Sequence, residues 1–175
     1  MPSEKEKKTT SPHTAGGTGV PPVRTFLATR RNLPHFQDPG SVYFLTWRAR
    51  EGQTFSPEER TLVMQALRHW DGRKWSVLVA VIMPNHVHAL VRPLASPAGG
   101  VFALAEIMHS IKSFSAHQIR QRRGDRGPLW QDERYDRIVR DEAEFLEKWN
   151  YIRNNAVKAG LAAQPEDYPW LYERR

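Results

Sequence analysis

The chain has 175 residues and no cysteine, which excludes disulfide bonds and thiolate metal sites. Its formal net charge is +7 and its pI is near 10.0, which favours a polyanionic partner, most simply nucleic acid. A basic protein without such a partner is the alternative. No apolar run approaches the ~20 residues of a membrane span, and the polar residues 1–10 do not have the form of a secretory signal. We therefore expect no membrane segment, and the missing cysteine fits a cytoplasmic location.

Residues 1–28 are rich in Lys, Thr, Ser, Gly and Pro, so they cannot bury enough apolar surface to offset the entropy of ordering. We predict a disordered basic tail there, one domain over residues 29–172 and a short C-terminal tail over residues 173–175. The stretch from residue 29 to residue 35 contains Arg30 and Arg31. It is either a solvated linker or an arm that contacts phosphate groups.

Aromatic and β-branched residues predict a first strand over residues 41–48. Ser56, Pro57 and Glu59 have the spacing of a capped helix start, and the helix is expected to run to about Trp70. Two apolar runs between residues 75 and 92 predict two more strands, joined by a turn at Pro84-Asn85.

A second helix is predicted over residues 101–122, with a fourth strand over 134–139 and a third helix from about 141 to a glycine cap at 160. The second helix is expected to face the core with Leu104, Ile107, Met108, Ile111 and Phe114, and the third helix carries the large apolar residues Phe145, Leu146, Trp149 and Ile152. The segment after residue 164 is expected to pack loosely. The order β-α-β-β-α-β-α indicates an α+β fold, a ferredoxin-like antiparallel sheet with helices on one face.

Two histidines, His86 and His88, lie two positions apart at the start of the third predicted strand. The period of two in a strand points both imidazoles to the same face of the sheet. Neutral imidazoles fixed side by side are good metal ligands. The alternative is a pair of ordinary sheet residues.

The third helix carries Tyr151 and, four positions later on the same predicted face, Asn155. A phenol is a poor nucleophile at neutral pH because its pKa is near 10, but a divalent metal or a cation such as Lys158 stabilises developing negative charge. The amide oxygen of Asn155 can complete a metal site begun by the histidines. Tyr151 is otherwise a packing residue, and Tyr135 is a rival nucleophile.

Taken together, the paired histidines followed by a helical tyrosine resemble the HUH endonuclease superfamily. Within it, the chain is similar to the IS200-type single-tyrosine transposases, and most of all to the REP-associated tyrosine transposases. The resemblance covers about residues 30–172 and is carried by the segments Gly40 to Thr46, Met83 to His88, Ile111 to Ser113, Leu129 to Gln131 and Tyr151 to Leu161. One departure is Ala156, which stands where the family usually has proline.

The resemblance implies a metal-dependent endonuclease and strand transferase that acts on REP-like hairpin DNA with a single-stranded flank. Tyr151 would form a 5′-phosphotyrosine intermediate, while His86, His88 and Asn155 would bind Mg²⁺ or Mn²⁺. Because imidazole and amide ligands hold these ions less firmly than carboxylates do, a site completed by the substrate is expected. The protein would act as a monomer or a homodimer.

Basic residues are the expected DNA contacts, since Lys and Arg bind phosphate with little sequence preference. The candidates are Arg30, Arg31, Lys112, Arg120, Arg122, Arg123 and Lys158. Two other functions remain open. A non-catalytic, domesticated relative of the same fold would bind DNA without cutting it, and a small zinc hydrolase would use the histidine pair alone.

Overall fold

A computed structural model describes residues 27–29, 35–37 and 40–174, with only the backbone for residues 27–29 and 35–37 and for Glu133. Its main sheet has five antiparallel strands in the order β6-β3-β5-β4-β7, where the strands are β3 (Tyr43–Ala49), β4 (Trp75–Ile82), β5 (His86–Pro93), β6 (Trp130–Ile138) and β7 (Leu171–Glu173). The helices are α1 (Pro57–His69), α2 (Leu104–Arg123), α3 (Glu142–Arg153) and α4 (Asn155–Lys158). The predicted α+β class and the order of its seven elements are confirmed.

Helix α1 begins as its sequence predicts. The backbone N–H of Glu59 donates to Ser56 Oγ, and the backbone N–H of Ser56 donates to a carboxylate oxygen of Glu59, which together form a capping box. Pro57 occupies the first turn, where its missing N–H has no helical partner to lose. The apolar residues of this helix therefore face the sheet in one fixed register.

Helices α1 and α2 cover one face of the sheet, where they bury the inward side chains of β3, β4 and β5. In α2 the predicted core positions are buried except Phe114, which is 50% exposed. The buried row continues instead through Ser115, whose hydroxyl accepts a hydrogen bond from Trp130 Nε1 at 3.1 Å. The indole of Trp130 occupies this space, so a small residue is required there and the apolar spacing shifts by one position.

Helix α3 lies on the opposite face, against Phe44, Val81 and Leu90. Ile152 is fully buried there, whereas Leu146 is 51% exposed. A single helix on this face leaves one side of α3 in solvent. The sheet therefore has two helices on one face and the late helix on the other, so the prediction that the helices share one face was wrong.

Two segments differ from the expectations for the chain ends. Residues 27 and 28, expected in the disordered tail, belong to β1 (Leu27–Thr29), which pairs antiparallel with β2 (His35–Gln37). The last residues are integrated rather than loose, because β7 pairs with β4 and the Tyr168 hydroxyl donates to the Ile82 carbonyl at 2.8 Å. Among the described residues, no helix is both long and apolar enough to cross a membrane.

Candidate active site

The two imidazoles lie on the α3 face of β5, as the strand period predicts. Their ring centroids are 4.8 Å apart, and the register with β3 places Arg48 opposite His86 and Thr46 opposite His88. Val87, between them, points into the other core. A central strand with neighbours on both sides therefore fixes the pair rigidly.

His88 is the more enclosed of the two, with 3% of its surface exposed. Its Nδ1 lies 2.7 Å from Thr46 Oγ1, and Phe44 stacks on its ring at a centroid distance of 5.6 Å. Burial, with smaller contributions from the electrostatic effects of His86 and Arg48, lowers the pKa of His88 to about 3. The imidazole is therefore neutral near pH 7, and when Nδ1–H donates to Thr46 the lone pair is on Nε2.

His86 is held in a similar way. Its Nδ1–H donates to the side-chain oxygen of Asn85 at 2.7 Å. Burial lowers the pKa of His86, the charge of Arg48 lowers it further, and a hydrogen bond with the side chain of Asn155 opposes both. The structure thus brings the amide of Asn155 next to this imidazole.

Tyr151 lies on α3, the helix that packs on this face of the sheet, and its side chain points toward the imidazoles. Its hydroxyl is 3.4 Å from His88 Nε2, and 39% of the residue is exposed. Next to it, Ile152 is fully buried and anchors the helix, while Lys158 Nζ lies 5.9 Å from the phenol ring centroid. The phenol is therefore open to solvent and in contact with His88 at once.

The predicted third helix is interrupted between Tyr151 and Asn155. Helix α3 ends at Arg153, and α4 begins at Asn155 after a turn at Asn154. The side chain of Asn154 donates to the Asn150 carbonyl at 2.9 Å, and such local bonds compete with helical ones. Asn155 therefore starts a new turn, yet its side chain still meets His86.

These residues fit a weakly held divalent ion. Each imidazole has its Nδ1 occupied by a hydrogen bond, which leaves Nε2 as the ring nitrogen for an ion, and the pKa of each is lowered, so both are neutral ligands. Within the described ranges, no group of three or more His, Cys, Asp or Glu side chains is arranged to hold a metal. Two imidazoles and an amide would leave positions open for substrate oxygen atoms.

A cavity of about 310 Å³ opens beside His88, and its wall includes groups that the sequence alone did not single out. It is lined by Phe44, Thr46, Arg48, His88, Tyr135, Lys148 and Tyr151. Thr46 and Arg48 are recognisable only from the strand register, whereas Lys148 precedes Tyr151 by three positions, a spacing that places both on one helix face. Tyr135, the rival nucleophile, makes an edge contact with Phe44 at 6.3 Å.

The predicted DNA contacts are scattered. Arg30 and Arg31 lie outside the described residues. Lys112 donates to the Gln131 carbonyl at 2.5 Å, and Arg120 shares with it a groove of about 960 Å³ between α2 and the start of β6. Arg122 is exposed at the end of α2, and Lys158 is exposed beside Tyr151.

Arg123 has a structural partner instead. Its guanidinium donates to both carboxylate oxygens of Glu59, each at 2.6 Å, and also to Gln53 and the Thr54 carbonyl. The hydrogen bond from Arg123 lowers the pKa of Glu59, so the pair is ionised. This bond network occupies the guanidinium with partners inside the fold.

Comparison with known proteins supports the fold. Residues 45–155 match the family described as IS200-like transposases. The chain has 19% identity and a TM-score of 0.64 to a REP-associated tyrosine transposase bound to a REP hairpin, over 83% of this chain and 82% of that one. A candidate transposase from Deinococcus radiodurans R1 is 17% identical with a TM-score of 0.43, over 73% of this chain and 97% of that one. No curated protein matches the sequence.

Proposed function

The chain belongs to the family of IS200-like transposases, and from that premise we propose that it cuts and rejoins single-stranded DNA through Tyr151. The observation that carries this proposal is the position of the phenol, 3.4 Å from His88 Nε2 and partly open to solvent. A nucleophile must reach both the activating site and a large substrate, and this arrangement permits both.

In the proposed reaction the Tyr151 oxygen attacks a phosphodiester phosphorus atom, and the bond from phosphorus to the 3′ oxygen breaks. The phenol proton passes to solvent, the leaving oxygen takes up a proton, and the product is a 5′-phosphotyrosine with a free 3′-hydroxyl. The covalent bond retains the phosphodiester energy, so a second 3′-hydroxyl can reverse the step and transfer the strand. Lys158, near the phenol ring, stabilises the phenolate electrostatically.

His86, His88 and Asn155 would hold Mg²⁺ or Mn²⁺, which supplies Lewis-acid polarisation of the scissile phosphate. The protein's own contribution is to fix the ligands. The sheet holds both imidazoles, Thr46 and Asn85 orient their rings, and α4 brings the amide to His86. All four proposed groups belong to one chain, which supports a site that needs no second copy.

The proposed substrate is a DNA hairpin with a single-stranded flank, by analogy with the similar transposase bound to a REP hairpin. Proposed phosphate contacts are Arg30, Arg31, Lys112, Arg120, Arg122 and Lys158. The net charge of +7 supports a polyanionic substrate, and the expected cytoplasmic location agrees with action on DNA.

The test is covalent adduct formation on a panel of hairpin oligonucleotides with Mg²⁺ or Mn²⁺. Wild type should form a protein–DNA adduct on a denaturing gel, EDTA should prevent it, and Tyr151→Phe should abolish it. Tyr135→Phe is the matched control, because it removes the same group from the same cavity and should leave the adduct intact. An adduct that persists in Tyr151→Phe rejects the assignment. Hairpin binding by wild type with no adduct favours the non-catalytic alternative.

A further inference from the structure

Two cations that the proposed reaction does not use lie beside Tyr151. Arg48 comes from β3, where it is the cross-strand neighbour of His86, and Lys148 comes from α3, three positions before the tyrosine. Both side chains line the 310 Å³ cavity that also contains His88 and Tyr151. Two separate elements therefore direct positive charge into one space next to the proposed nucleophile.

The charge of Arg48 is not neutralised locally. Among the described side chains, no carboxylate forms an ion pair with Arg48, whereas Arg50, two positions along, pairs with Asp132 at 3.7 Å. The register of β3 against β5 places Arg48 directly opposite His86. Arg48 thus faces a neutral histidine pair with no local counterion.

The side chain of Lys148 lies at the wall of the cavity. Its side chain is 21% exposed and its ammonium lies 5.7 Å from the Phe44 ring centroid, while its ion-pair partner, the adjacent Glu147, is 67% exposed. An ion pair with so exposed a carboxylate is weak because water screens it. The ammonium can therefore exchange Glu147 for an anion within the cavity at little cost.

We propose that Arg48 and Lys148 form a binding subsite for a phosphodiester group on the Tyr151 side of the imidazole pair. Like charges in one cavity repel each other, and an anion between them removes the repulsion and gains charge-assisted hydrogen bonds. The guanidinium offers a planar pair of donors that matches two phosphate oxygens. The inference rests on the proposed function, and it names the groups that would hold the scissile phosphate against the phenol.

The test uses a ligand with a single phosphate charge. A thymidine dinucleotide with one phosphodiester and its neutral methylphosphonate analogue are titrated into the metal-free protein, and binding is followed by NMR through the imidazole and backbone resonances around His88. Wild type should bind the phosphodiester more tightly. Arg48→Gln and Lys148→Gln should each weaken that binding about tenfold and leave methylphosphonate binding unchanged.

Matched controls separate this effect from general loss of charge. Arg50→Gln removes the same charge two positions away on the same chain segment, and Arg92→Gln removes it from the far end of β5; neither should change the ratio between the two ligands. Lys148→Arg should restore most of the preference, whereas Arg48→Lys should restore only part of it because an ammonium lacks the planar pair of donors. Spectral dispersion checks that each variant is folded.

The outcomes distinguish this inference from the proposed function. A phosphodiester preference that survives both Gln variants overturns the subsite, as does a wild type with no preference or no binding, and an intact Tyr151 adduct then leaves the proposed function standing. A preference that depends on both cations, in a protein that forms no adduct, supports the subsite and rejects Tyr151 as a nucleophile. A Tyr151→Phe protein should keep the full preference.

Discussion

Lowering the pH from about 7.5 to about 5 should destabilise the protein through His88. Burial holds the pKa of this imidazole at about 3 in the folded chain, against 6.5 as its ordinary value. The unfolded chain therefore binds a proton between these pH values that the folded chain does not. Stability is complete above the unfolded pKa and falls as the pH drops from 6.5 toward 3.

The expected magnitude is about 2 kcal/mol of unfolding free energy lost between about pH 7.5 and about pH 5, from His88 alone. His86 adds to the loss, since its pKa is also lowered. Glu59 is an acid whose pKa is lowered in the folded chain, so it remains ionised there at pH 5 and its contribution to stability is lost mainly at lower pH. The histidine pair therefore dominates this pH interval.

Urea unfolding followed by tryptophan fluorescence at both pH values measures the loss. In His88→Gln the difference between the two pH values should shrink by about 2 kcal/mol, whatever the variant's absolute stability. His117→Gln, at an exposed position on α2, should keep the wild-type difference. Equal pH differences in wild type and His88→Gln would refute the account, because His88 would then titrate normally in the folded chain.

Two further substitutions test how neighbours support the site and the fold. Arg123→Ala should lower the unfolding free energy by about 2 kcal/mol, because Glu59 loses its buried partner, and should leave DNA affinity unchanged. Arg122→Ala, at an exposed position, should weaken DNA binding and leave the unfolding free energy unchanged. Urea unfolding measures the stabilities and fluorescence anisotropy the DNA affinities, and the opposite assignment of the two effects would contradict these roles. With a hairpin oligonucleotide present, Thr46→Val should weaken Mn²⁺ binding about tenfold by calorimetry, because the hydroxyl no longer orients His88, and Thr46→Ser should preserve it; equal affinities would contradict that role.

Elements whose signals are local were predictable from the sequence. Ser56 and Glu59 satisfy the first backbone groups of α1 by themselves, so the helix start follows from four residues. The turn at Pro84-Asn85 joins two apolar runs, and a turn this short favours their pairing as neighbouring antiparallel strands. The strand period then places His86 and His88 on one face, whatever surrounds them.

Features set by distant contacts were not predictable. Phe114 fits the helical period as well as Ser115 does, and only the position of the Trp130 indole decides between them. Arg123 belongs to a basic cluster in the sequence, but its partner Glu59 is 64 positions away. Thr46 and Arg48 become part of the site only through the register of β3 against β5, which no local pattern reveals.

The charges around the site explain why metal and DNA should bind together. In the proposed site, two neutral imidazoles and an amide would leave the full charge of a divalent ion uncompensated, and the nearby Arg48 would repel that ion further. A DNA phosphate would supply the missing negative charge, so each ligand would raise the affinity for the other by the same factor. A carboxylate ligand would hold the ion without DNA, but it would also repel the phosphate that Tyr151 is proposed to attack. The neutral histidine pair therefore suits a site that assembles on its substrate.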